Sequence, residues 1–178
     1  MQVHSKYKDQ ITTQQYTKQT AIADVEVVDG KLFNDDSGNF AELLRLNEQQ
    51  EVEGLTRPFI VKQLSLSVMV PGTIKAYHVH NNQDDLWFVS PFDRVLVNLH
   101  DLREDSATFD THMRLVLGSG KHTMLRIPAG VAHGAANIYE RPMTLIYATS
   151  QQFNSENPDE HRLPWDIFGS QLWDLTKG

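Results

Sequence analysis

The chain has 178 residues, enough for one domain with a real core and too few for a second full domain. Its formal charge of -7 excludes broad binding to nucleic acid or to anionic membranes, and zero cysteines exclude disulfides and thiolate metal ligands. No apolar run approaches the roughly 18 residues of a membrane span, and the amino terminus lacks the apolar core of a secretion signal, so a cytoplasmic setting is expected.

Residues 1–20 are rich in Gln, Thr and Lys with few apolar anchors, and read as a flexible or dimer-packing arm before a single domain over 21–178. Val25, Val27 and Val28 mark a strand, and Asn34-Asp35-Asp36-Ser37-Gly38 marks a turn. Good helix formers, among them Leu43, Leu44 and Leu46, predict a short helix over 41–50. Strand patterns then follow at 59–70, 73–80, 85–90, 94–100, 112–117, 122–127, 133–138 and 142–150, punctuated by Pro71-Gly72, Ser119-Gly120 and Pro128-Ala129-Gly130. Short strands at near-regular spacing with one or two short helices predict an all-β fold, an antiparallel jelly-roll barrel with extended termini. Beyond residue 151 the sequence turns polar and irregular, and Trp165 and Trp173 are expected to pin that segment to the barrel or to a second subunit.

The stretch Gly72-Thr-Ile-Lys-Ala-Tyr-His78-Val-His80 concentrates the chemistry. Strand alternation puts Ile74, Ala76, His78 and His80 on one face and Lys75, Tyr77 and Val79 on the other. About fifty residues later, Pro128-Ala-Gly130-Val-Ala-His133 follows a turn with a third histidine at the start of another apolar strand. Three imidazoles on neighbouring strands make a site for proton transfer or for a metal, and Lys75, Arg94 and Arg126 are cations in strand-like segments open to a phosphate-bearing ligand.

These residues resemble the two cupin motifs, and more specifically the dTDP-4-dehydrorhamnose 3,5-epimerase family. The segment Leu32 to Glu42 is similar to that family's amino-terminal substrate loop, and Ile74-Lys75-Ala-Tyr-His78 to the strand bearing its catalytic histidine. Asp101-Leu-Arg-Glu-Asp-Ser-Ala-Thr108-Phe109 resembles its Asp-Ile-Arg-x-x-Ser-Pro-Thr-Phe segment, while Ile127 to Gly134 and Leu145-Ile-Tyr147 resemble its later strands. The resemblance implies a cupin-type jelly roll and an isomerase that works without a cofactor on a nucleotide sugar of the dTDP-4-keto-6-deoxyhexose type. It implies His78 as base and Tyr147 as acid, with Phe40, Glu42, Gln63, Lys75, Asp85 and His133 as substrate-binding positions. A homodimer packed through amino-terminal segments is implied as well. The chain departs from the pattern at Ser37 and Lys75, where the family has arginines, at Phe153 for a second tyrosine, and at Asp85 near an active-site lysine. The acidic partner of the histidine belongs to a carboxy-terminal stretch with no evident counterpart here, which leaves Asp84, Asp85 and Asp166 as candidates to orient His78.

Epimerisation beside a ketone removes a proton from carbon, passes through an enolate and returns a proton to the opposite face. Histidine suits the base because its unperturbed pKa is about 6.5, and Lys75 and His133 are candidates to stabilise the oxyanion. Two alternatives stand beside this reading. One is a metal-dependent isomerase or oxygenase in which His78, His80, Asp84 (or Asp85) and His133 hold a divalent transition metal. The other is a non-catalytic cupin that binds a sugar nucleotide, with loss of the carboxylate partner as its signature.

Overall fold

The computed structural model describes residues 2–14 and 20–176. The described part of the amino-terminal arm holds one helical turn, α1 (Ser5–Lys8), with no buried residue, and 15–19 lie outside the described residues. The strands are β1 (Glu26–Asp29), β2 (Leu32–Asp35), β3 (Gly38–Ala41), β4 (Gln63–Met69), β5 (Ile74–Val79), β6 (Asp85–Val89), β7 (Arg94–Asp101), β8 (His112–Gly118), β9 (Thr123–Ile127), β10 (Val131–Ala136), β11 (Met143–Thr149) and β12 (His161–Arg162). Each run expected between 59 and 150 corresponds to one of β4 to β11. No described helix is long and apolar enough to cross a membrane.

All pairings are antiparallel and form two five-stranded sheets, ordered β1-β9-β6-β11-β4 and β12-β5-β10-β7-β8, with β2 and β3 as a separate hairpin. Between the sheets lies a core of alternate residues, including Trp87, Val89, Val97, Leu99, Leu115, Leu125, Ile127 and Leu145. Because strand faces alternate, Leu86 and Phe88 point to the far side of the first sheet, where Val52 and Phe59 cover them. On the far side of the second sheet Tyr77, Leu96, Ala132 and Ala136 are covered by Trp173 from the 3₁₀ turn at Ser170–Trp173. Trp173 therefore pins the carboxy-terminal segment as expected, donating Nε1–H to the Trp165 carbonyl at 2.8 Å, while Trp165 itself stays exposed.

Two expectations fail. No helix forms over 41–50: β3 ends at Ala41, and the following chain makes isolated bridges from Leu46 to Val52 and from Glu51 to Ile60, with Leu44 packed onto the outer cluster of the first sheet. Covering that apolar sheet face outweighs local helix propensity, which is a weak prior. The alternation in β5 is also broken. His133 faces His78 whereas Ala135 faces Lys75, so three steps of β5 span two of β10. The extra residue reverses the phase, putting Lys75 on the same wall as His78 and His80 and sending Ile74, Ala76 and Tyr77 to the outer cluster. Gly134 sits against this irregularity, where a Cβ would lie 2.3 Å from the Ala76 Cβ and 2.9 Å from its Cα. Only glycine lets the strands come that close.

Candidate active site

At one end of the sandwich the core gives way to a cavity of about 930 Å³ between the two sheets. Lys75, His78, His80 and His133 line it from the β5–β10 side, and Gln63, Ser67, Asp85, Trp87 and Tyr147 from the β4–β11–β6 side. Its mouth is bordered by Gln83, Phe153, Glu160 and Arg162. The rings of His78 and His133 stack with centroids 6.0 Å apart, and those of His80 and His133 lie 5.2 Å apart. The three imidazoles thus share one hollow.

Each ring is held by its Nδ1. His78 Nδ1 bonds to a carboxylate oxygen of Glu160, His80 Nδ1 to the Asp159 carbonyl, and His133 Nδ1 to the Val131 carbonyl at 3.0 Å. Because those partners accept, each Nδ1 carries a proton, and the neutral form of each ring is the tautomer with its lone pair on Nε2. The hydrogen bond from His78 holds the Glu160 carboxyl below its ordinary range, and burial pushes the His133 imidazole well below the usual histidine range.

The segment supplying these partners is clipped in place. β12 pairs with β5, setting Arg162 opposite His78 and His161 opposite Val79. Just before it, the Asp159 carboxylate accepts the backbone N–H groups of Asn81 and Asn82, both at 2.7 Å, and of Gln83 at 3.1 Å. Those contacts hold the Asp159 carboxyl below its ordinary range against the opposing effect of burial. Glu160 was not among the acids expected to orient His78, and none of the three candidates does so. Asp84 binds Arg126 at 2.6 Å and the Ala129 N–H at 2.9 Å, Asp85 faces His80 and His133, and Asp166 lies exposed outside the cavity. Of the metal set, Asp84 is engaged by Arg126, but with Asp85 as its acid three members, His80, Asp85 and His133, converge, and His78 stays outside that group.

Among the expected substrate-binding positions, Gln63, Lys75, Asp85 and His133 line the cavity with His78 and Tyr147. Lys75 donates from Nζ to Ser67 Oγ at 2.7 Å, bridging the two sheets. Phe40 and Glu42 are elsewhere: they border a separate cavity of about 580 Å³ beside the β2–β3 hairpin, together with Phe33 and His122. The Asp101–Phe109 segment is a surface turn tied to one buried carboxylate rather than a wall of the cavity. Asp101, fully buried, accepts from Arg103 Nε at 2.8 Å, Ser106 Oγ at 2.6 Å and Thr108 Oγ1 at 2.7 Å.

The family model for dTDP-4-dehydrorhamnose 3,5-epimerase matches residues 19–168. The spore coat polysaccharide biosynthesis protein SpsL of Bacillus subtilis is 45% identical over 133 residues, covering 75% of this chain and 83% of that protein. The probable low-salt glycan biosynthesis epimerase Agl13 of Haloferax volcanii is 34% identical over 146 residues, covering 82% of this chain and 89% of that protein. In fold, the chain is similar to the crystal structure of dTDP-4-dehydrorhamnose 3,5-epimerase from Bacillus anthracis with TDP and PPi bound, with a TM-score of 0.74, 24% identity, and coverage of 89% of this chain and 90% of that one.

Proposed function

The chain belongs to the dTDP-4-dehydrorhamnose 3,5-epimerase family, and from that premise we propose that it epimerises a 4-keto nucleotide sugar with His78 as base and Tyr147 as acid. One observation supports this most: His78 stands on β5 of one sheet and Tyr147 on β11 of the facing sheet, across a single cavity. A sugar ring between them offers opposite faces to the two groups, as inversion at carbon requires. Glu160 fixes the tautomer that leaves His78 Nε2 as the proton acceptor, and stabilises the imidazolium once the proton is taken. Lys75 and Arg162 place positive charge on the cavity wall and at its mouth, where a diphosphate can be met despite the net charge of -7.

The non-catalytic reading loses the feature that favoured it, because His78 has its carboxylate. We place the enzyme in the cytoplasm, in keeping with its lack of cysteine. We further take it to be a homodimer, since Leu64, Leu66, Val68 and Val70 form an exposed apolar row along and just beyond the edge strand β4. The test is incubation with a dTDP-4-keto-6-deoxyhexose in deuterium oxide. The reading requires deuterium at C3 or C5 and loss of that exchange in His78→Ala; binding without exchange sinks it.

A further inference from the structure

We infer that His80, Asp85 and His133 form a binding site for a divalent transition metal inside the cavity. His80 Nε2 lies 3.7 Å from Asp85 Oδ1, and His133 Nε2 lies 3.6 Å from Asp85 Oδ2. Both separations are too long for hydrogen bonds. They approach the edge of a metal coordination polyhedron, which is about 3.0–3.4 Å for ligands about 2.1 Å from the ion.

The chemistry of the three groups suits a cation. Both Nδ1 atoms donate to backbone carbonyls, so in the neutral rings, the form a metal takes, both Nε2 atoms are acceptors, and they face the Asp85 carboxylate. Three buried residues thus turn acceptor atoms toward one another with no hydrogen bond among them, an arrangement a cation would draw together. The surroundings do what metal sites need of an outer shell. The Asp159 and Val131 carbonyls fix the imidazole tautomers, Gln83 Nε2 donates to Asp85 Oδ1 at 2.8 Å, and Trp87 Nε1 donates to Asp85 Oδ2 at 3.0 Å. The indole also packs edge-on against the His133 ring at 5.4 Å. Two imidazoles and one carboxylate leave coordination positions open, and the residues share a cavity with His78 and Tyr147, so a bound substrate oxygen can complete the shell.

A role follows that rests on the epimerase reading: the ion would polarise the ketone and place positive charge where the enolate oxygen develops, beside the base. Binding itself does not depend on that reading. The experiment uses the whole protein, stripped with chelator and then exposed separately to Zn²⁺, Mn²⁺, Fe²⁺, Co²⁺ and Ni²⁺, with metal per chain measured after desalting and visible absorption recorded for Co²⁺. The expected result is about one equivalent of at least one ion, lost in Asp85→Asn and in His80→Gln, and Co²⁺ bands that Zn²⁺ abolishes. The wild type needs no variant to fold: if none of the five ions exceeds about a tenth of an equivalent on it, or if bound metal survives Asp85→Asn, the site does not exist. Solvent deuterium exchange on the metal-free protein separates the two proposals. Full exchange without metal overturns the catalytic role while sparing the epimerase reading, whereas stoichiometric metal with no exchange under any condition upholds the site and defeats the epimerase.

Discussion

Glu160 reaches back across 82 residues of sequence to bond Nδ1 of His78. The contact joins the irregular carboxy-terminal stretch to the central strand of the site, and it exists because β12 adds two residues to the edge of β5. If Glu160 sets the tautomer and steadies the imidazolium, Glu160→Gln should lower kcat by about 10²-fold, within the range of general acid–base contributions, with KM little changed. Glu160→Asp should recover part of the loss. A Glu160→Gln enzyme with unchanged kcat would show that His78 needs no carboxylate.

The second structural requirement is close backbone approach at Gly134. A methyl group there must push away Ala76, including its backbone, and with it the irregular turn of β5 that brings Lys75 onto the wall occupied by His78. Gly134→Ala should therefore destabilise by about 1–3 kcal/mol, the usual cost of overpacking, and should lower activity further than stability alone explains. Adding Ala76→Gly removes the nearest contact, though not the Lys75 carbonyl at 3.0 Å, so partial recovery is expected in denaturant unfolding.

The strands were legible in the sequence because β4 to β11 alternate or run apolar between turn residues such as Pro128-Ala129-Gly130. The three histidines were legible for the same reason. Glu160 was not: it sits among Asn154, Glu156, Asn157, Pro158 and Asp159, a polar run without periodicity, and the strand it precedes is two residues long. The adjacent acids Asp159 and Glu160 were the available signal, since one caps the loop after β5 and the other meets its histidine. The face of Lys75 was misread because strict alternation cannot register an inserted residue. Asp84 and Asp85 illustrate a related point: neighbours on a strand face opposite ways, so only one of them can join His80 and His133.

Acid sensitivity should trace to Asp101. Burial alone would raise its pKa, but hydrogen bonds from Arg103, Ser106 and Thr108 outweigh that and hold the carboxyl well below the ordinary range. A carboxylate with a depressed folded-state pKa contributes stability that is complete above its unfolded value of about 3.9 and is lost as pH falls beneath it. Asp101→Asn, which leaves the guanidinium of Arg103 short of its partner, should cost about 3 kcal/mol at pH 7. The gap between wild type and variant in urea unfolding should narrow below about pH 4; a gap constant from pH 7 to pH 3 would show that the ionised form of Asp101 contributes nothing.

The apolar row on and beside β4 gives the assembly a test. Leu64, Leu66, Val68 and Val70 are each more than half exposed, and β4 is an edge strand with an open side. If a second copy covers them, wild-type protein at micromolar concentration should scatter light as a dimer, and Leu66→Glu with Val68→Glu should yield folded monomer. A monomeric wild type would leave that row, and the amino-terminal arm, without a dimer role.

Tyr147 offers the sharpest discrimination within the mechanism. If His78 and Tyr147, which line one cavity, act on opposite faces of the sugar, removing the phenol hydroxyl should leave proton abstraction intact while blocking delivery of a proton from the other side. In Tyr147→Phe, deuterium from solvent should still enter the substrate through His78 with retained configuration, whereas formation of the inverted sugar should fall by about 10²-fold. The ring packs against the buried core, and phenylalanine preserves that packing, so a stability loss cannot mimic the result. Equal loss of exchange and inversion would mean that Tyr147 assists the first proton transfer. Unchanged inversion would mean that the acid is another group on the β4–β11–β6 wall.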